Sequence, residues 1–163
     1  MINQVQKYII LCLMVRGGLH GQSTAELTDY IIREFKACDN AQLEIKEANF
    51  TDNDSVFKLA ISTDGQMMEQ SWEISLADAD IYAKRVLVKT ETNEYTYTYN
   101  LVATTRGRSR GIRRNMSRIT GTEVLLRHVW NGSQMKGLEA AFARLTALTT
   151  GRKPPVPVPT DQP

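Results

Sequence analysis

The chain has 163 residues, 42% of them hydrophobic, a formal net charge of +2 and only two cysteines. That length buries a core without metal or disulfide staples, two cysteines cannot build a disulfide framework, and no Cys/His cluster has zinc spacing. No apolar run approaches the roughly 18 residues that a membrane-spanning helix needs.

The first segment reads as an address label. Lys7, the apolar run Tyr8 to Val15 and the exit Gly17-Gly18-Leu19-His20-Gly21 have the order of a secretory leader, residues 1–21, cut so that the mature protein begins at or near Gln22. Arg16 and Leu19 fit that pattern less well, and the competing reading is a buried first strand with Gly17-Gly18 as its turn. Leu11 stands where a lipoprotein signal has a small residue, which argues against lipidation of Cys12. The leader implies export to the periplasm, cell surface or medium; the strand reading implies a cytoplasmic protein.

Ser23-Thr24-Ala25-Glu26 is a capping-box pattern, so a helix starts there. Leu27, Tyr30, Ile31, Phe35 and Cys38 continue at helical spacing until Asp39-Asn40. Cys38 reads as a small apolar residue. The period then changes to two: Leu43 and Ile45, then Phe57, Leu59 and Ile61, then Trp72, Ile74 and Leu76 alternate with polar or small neighbours, as half-buried antiparallel strands do. Asp64-Gly65 marks a tight turn. Val86 and Val88 carry the pattern on, Thr92-Asn93-Glu94 turns the chain, and Tyr95, Tyr97, Tyr99 and Leu101 form the clearest strand. Glu123 to Trp130 is the last. Ser133 is the expected cap of a closing helix whose stripe is Met135, Leu138, Ala141, Phe142, Leu145 and Leu148, with Gly151 as its C-terminal cap. Residues 152–163 hold all five prolines and read as a disordered tail behind a single domain, 22–151.

Helix, antiparallel meander of about six strands and closing amphipathic helix define an α+β fold, with the sheet curved or forming an open barrel. The outline resembles the pleckstrin-homology-like superfold, in architecture alone. A second resemblance lies in the sequence. Ser23-Thr24-Ala25-Glu26-Leu27-Thr28-Asp29-Tyr30-Ile31, the stretch from Trp72 to Asp80 and that from Gly137 to Leu145 are similar to segments of small uncharacterised exported proteins of Bacteroidota. This similarity covers most of Ser23 to Thr149 and implies location and layout, with no catalytic residue attached.

Charge is strongly polarised along the chain. From Ser23 to Tyr99 acidic residues outnumber basic ones 15 to 7, and from Asn100 onward basic residues lead 11 to 3. Arg106, Arg108, Arg110, Arg113, Arg114 and Arg118, spaced by Gly and Ser, exceed what a hairpin connection needs. They are the candidate anion-binding residues, suited to bidentate contact with lipid phosphate, acidic glycan, nucleic acid or an acidic protein surface. The competing reading is a solvated loop that pairs with the acidic half.

Tyr95, Tyr97 and Tyr99 share one strand face, read as core packing or as a stacking platform beside the arginines. His128, alternating with Leu126 and Trp130, reads as core or edge packing rather than as a general base, and Asp78 with Asp80 as shaping a turn rather than a calcium site, for which the ligands are too few. No nucleophile–base pair, phosphate loop, dinucleotide fingerprint or zinc-protease motif occurs, so no catalytic residue, cofactor or metal ligand is assigned. The expectation is a non-catalytic binding or structural module, exported, with an anion-binding arginine loop. The alternatives are an intracellular nucleic-acid-binding protein and an exported hydrolase.

Overall fold

A computed structural model describes residues 21–37, 43–63, 70–106, 111–115, 117–119, 123–129 and 132–153; side chains at 43, 63, 117–119, 123–129 and 132 lie outside the description. Residues 1–20 of the expected leader, Cys38, Asp39-Asn40, Asp64-Gly65, Arg108, Arg110 and residues 154–163 fall outside the described residues.

Helix α1 spans Thr24–Lys36 and opens on the expected capping box. The Ser23 N–H donates to Glu26 Oε2 at 2.8 Å, and the Glu26 N–H donates back to Ser23 Oγ at 3.3 Å. Its buried face is Leu27, Thr28, Ile31 and Phe35, the i, i+4 rows of an amphipathic helix.

Eight strands follow among the described residues: β1 Leu43–Thr51, β2 Val56–Thr63, β3 Gln70–Ser75, β4 Ala79–Lys89, β5 Tyr95–Thr105, β6 Ile112–Arg114, β7 Ser117–Ile119 and β8 Glu123–Val129. All pair antiparallel. The α+β layout read from the sequence is therefore the observed one. The strands divide between two sheets, β1-β2-β3-β6-β7 and β4-β5-β8, and neither closes on itself. The division occurs at Leu76-Ala77-Asp78, where the chain leaves β3 and enters the second sheet at Ala79. The Leu76 N–H donates to the Ser55 carbonyl at 2.9 Å and the Asp78 N–H to the Ser75 carbonyl at 3.2 Å, turning the chain out of the first sheet.

Helix α2, Gly132–Thr150, closes the fold. Met135, Leu138, Ala141, Phe142 and Leu145 are buried as their spacing predicts, but Leu148, expected in the same stripe, is 42% exposed. Ser133 lies inside the helix, not at its cap. Gly151 does end it: φ is +68°, and its N–H reaches the Ala147 carbonyl at 3.1 Å, the left-handed step that favours glycine. All four phenylalanines meet between the helices and the first sheet. Ring centroids lie 5.1 Å apart for Phe35 and Phe57, 5.3 Å for Phe57 and Phe142, and 4.9 Å for Phe50 and Phe57. Ala79, Ile81, Leu101 and Ala103 carry the same core onto the second sheet.

Candidate functional site: a cationic and aromatic hairpin face

The sheets separate Arg106 from Arg113, Arg114 and Arg118. Arg106 follows β5 and is held by Asp80 of β4, its Nε at 2.9 and 3.0 Å from the two carboxylate oxygens and its Nη2 at 2.8 Å from Oδ1. Asp80 also receives Arg152 Nη2 at 2.7 Å. Arg152, assigned by sequence to the tail, is tied to the body: Nη1 donates to the carbonyls of Leu76 at 2.8 Å, Ala77 at 2.6 Å and Ala79 at 3.2 Å. Burial and the nearby Arg106 guanidinium lower the Arg152 pKa from its ordinary value, with Asp80 opposing them. Asp80 is therefore a structural hub, the second residue of β4, while Asp78 shapes the turn by accepting from Ser75 Oγ at 3.1 Å.

Residues 112–119 build the edge of the first sheet. Ile112 is buried opposite Ile74. Arg113 sits opposite Glu73 and 3.4 Å from its carboxylate, which Lys58 approaches at 3.2 Å from the other side. Arg118 occupies the register position opposite Arg113. Arg114 alternates to the other face, exposed, with its guanidinium 6.0 Å from the centre of the Trp72 ring. The structure thus brings Arg113 and Arg118 to one cross-strand position, sets Arg114 on the opposite face and takes Arg106 away to Asp80. His128 lies in β8 opposite Asn100.

A surface that the sequence reading did not assign lies on the β4–β5 hairpin. The two strands pair without interruption from Ala79↔Thr105 to Lys89↔Tyr95. At the two ends the Thr90 N–H donates to the Glu94 carbonyl at 2.8 Å and the Arg106 N–H to the Asp78 carbonyl at 2.9 Å. Both bonds extend the same register, so even positions of β4 form the hydrogen-bonded pairs. Odd positions form the non-hydrogen-bonded pairs, in which side chains approach most closely: Arg85 with Tyr99, Leu87 with Tyr97, Lys89 with Tyr95.

This face begins as core, at Ala79 and Ile81 opposite Ala103 and Thr105, and then runs past its cover. Tyr99 is half-buried against the core, but Tyr95 is 68% exposed, Tyr97 51% and Leu87 53%. Reading Tyr95 and Tyr97 as core is thus corrected: the alternation is continuous, but what packs on it stops near Tyr99. On the opposite face Thr98 is fully buried. The Arg85 guanidinium carbon lies 4.4 Å from the Tyr97 ring centre, a stacked cation. Lys89 is exposed beside Tyr95, and Glu91 and Glu94 stand in the turn beyond. A guanidinium held over an exposed phenol ring stands on the surface where an anion would meet it, and its donors suit bidentate contact with one.

No protein family, curated protein or solved structure matches the chain.

Among the described residues no group of three or more His, Cys, Asp or Glu is arranged to hold a metal, and no helix is long and apolar enough to cross a membrane. The signal that locates the hairpin face was present in the sequence. Folding Arg85-Val86-Leu87-Val88-Lys89 back on Tyr95-Thr96-Tyr97-Thr98-Tyr99 about Thr92-Asn93-Glu94 sets two cations against the tyrosines.

Proposed function

We propose that the chain is a non-catalytic binding module, exported, that takes an anionic partner on the exposed face formed by Arg85, Leu87, Lys89, Tyr95 and Tyr97. The observation that carries this reading is the Arg85–Tyr97 stack, 4.4 Å from cation to ring centre on rings left more than half open to solvent. Aromatic rings with interleaved cations suit polyanions such as acidic glycans, lipid phosphates or nucleic acid, and acidic protein surfaces. Export rests on the leader pattern of Lys7 and Tyr8 to Val15 and is tested by the intact mass of the protein recovered from its host. A species starting at Met1 in the cytoplasm contradicts it.

The arginine segment is the second reading. Arg113 and the Arg118 register position share one face of the first sheet's edge and Arg114 stands exposed on the other, so the alternative anion-binding element is the segment whose sequence holds Arg108, Arg110, Arg113, Arg114 and Arg118. Retention on immobilised heparin against a salt gradient separates the two. The Arg85→Gln/Lys89→Gln variant elutes at clearly lower salt with an unchanged melting temperature if the hairpin face binds, because screening acts on exposed charge. If that variant elutes with the parent, and Arg113→Gln/Arg114→Gln/Arg118→Gln elutes early, the surface belongs to the arginine segment.

A further inference from the structure

The same register that brings Arg85, Leu87 and Lys89 together also fixes where their backbone groups point. Even residues of β4 bond to β5, so the N–H and C=O groups of Ile81, Ala83, Arg85, Leu87 and Lys89 are directed away from it, toward the outer edge of the second sheet. One bond confirms this parity: the Ala83 N–H donates to Glu139 Oε1 of α2 at 3.1 Å. Helix α2 thus closes the edge at Ala83, as proteins commonly do with a charged residue. Past Ala83 no strand pairs with β4 on that side among the described residues. Arg85, Leu87 and Lys89 therefore present a short ladder template of about 13 Å, the four steps from Arg85 to Lys89 at about 3.3 Å each.

The charges on this template select what can pair with it. A second copy of β4 laid antiparallel about Leu87 brings Arg85 opposite Lys89 at both ends, and like charges directly opposite are destabilising. A copy centred on Arg85 sets that residue against itself. An incoming strand with carboxylates at alternate positions meets the opposite arrangement. We propose that the open edge of β4 at Arg85–Lys89 takes an extended acidic segment of a partner protein as an added antiparallel strand, with carboxylates opposite Arg85 and Lys89 and an apolar side chain opposite Leu87. This is strand addition, in which main-chain bonds hold the segment and alternate side chains give specificity. It rests on the hairpin face being the contact surface, and it names the partner for that face.

The test uses the full chain and three blocked peptides: TETVTET, its Lys-for-Glu counterpart TKTVTKT, and TETVTET methylated on the valine nitrogen, which keeps every side chain but removes the central main-chain donor. Binding is measured by calorimetry, and amide hydrogen exchange is followed residue by residue, with a heparin oligosaccharide as a fourth ligand. The proposal expects TETVTET to bind, TKTVTKT not to bind, and the methylated peptide to bind at least about tenfold more weakly, the loss of one well-placed hydrogen bond. It also expects slower exchange at Arg85, Leu87 and Lys89. Equal binding of the methylated peptide overturns strand addition and leaves a side-chain contact. Heparin binding at the hairpin without any TETVTET binding overturns the acidic-peptide partner and keeps the face as a glycan surface. If neither ligand touches the hairpin, the proposal and the reading beneath it both fall.

Discussion

Asp80→Asn should destabilise the protein by about 2 kcal/mol, because it removes the one carboxylate that two guanidinium groups share. The Arg152 side chain is 18% exposed and meets Asp80 Oδ1 at 2.7 Å, so this pair lies in a weakly screened setting. A hydrogen bond to a charged group there is worth about 1.5 kcal/mol, at the lower end of its usual range. Arg106 is 39% exposed and 2.8 Å from the same oxygen, and solvent screening reduces its share to about 0.5 kcal/mol despite its two-pronged geometry. Asparagine keeps the shape and part of the hydrogen bonding but leaves Arg106 and Arg152 facing each other without the charge between them, with only the more distant Asp78 still opposing. At about 3–4 °C per kcal/mol for a domain of this size, the melting temperature falls by about 6–8 °C in a calorimetric scan. Arg152→Gln should reproduce most of that loss and Arg106→Gln little of it. A fall below about 2 °C for Asp80→Asn refutes the hub, and Arg106 then returns to the arginines available for an anion.

Gly111→Ala should destabilise strongly, since its Cβ would lie 2.4 Å from Asp78 Cβ and 2.9 Å from the Asp78 carbonyl carbon; a melting temperature equal to the parent's refutes the close approach. Phe142→Ala removes the ring that touches Phe35, Phe50 and Phe57 and should cost about 3–5 kcal/mol by urea unfolding. The Ser23 backbone N–H, then its hydroxyl, lowers the Glu26 pKa from its ordinary 4.5. A lowered folded-state value means that the carboxylate's contribution is complete above pH 4.5 and is lost as pH falls through that lower value. Glu26→Gln should therefore lessen the acid-side loss of stability, and an identical pH profile for the variant and the parent contradicts the capping box as its source.

What was legible in the sequence is what neighbouring residues decide. The Ser23–Glu26 box, the Leu27, Ile31 and Phe35 row, the turn at Asn93 with φ +65° and the Gly151 cap are local, and each stands where its residues place it. The turn at Asp52-Asn53-Asp54, with φ values of 55°, 53° and 61°, is also local, written in residues that tolerate the left-handed region, although the sequence reading did not single it out. What escaped depends on distant partners. The split into two sheets, the capture of Arg106 by a carboxylate 26 positions away and the docking of Arg152 across 72 positions have no local signature. Tyr95 and Tyr97 were misread for the same reason. Strand alternation says which side chains share a face, whereas the length of the opposing layer decides how far along that face burial extends. Arg85 and Lys89 entered the sequence reading only as charges, and the hairpin register turns them into a surface.

The most direct measurement is a residue-resolved NMR map of the full chain titrated with a heparin oligosaccharide at low and at physiological salt. Binding at the hairpin face predicts that the amides of Arg85, Leu87, Lys89, Tyr95 and Tyr97 shift together, that the Arg85 Nε–H shifts with them, and that higher salt weakens all of these changes in parallel. Shifts confined to residues 106–118, with the hairpin unmoved, would contradict it.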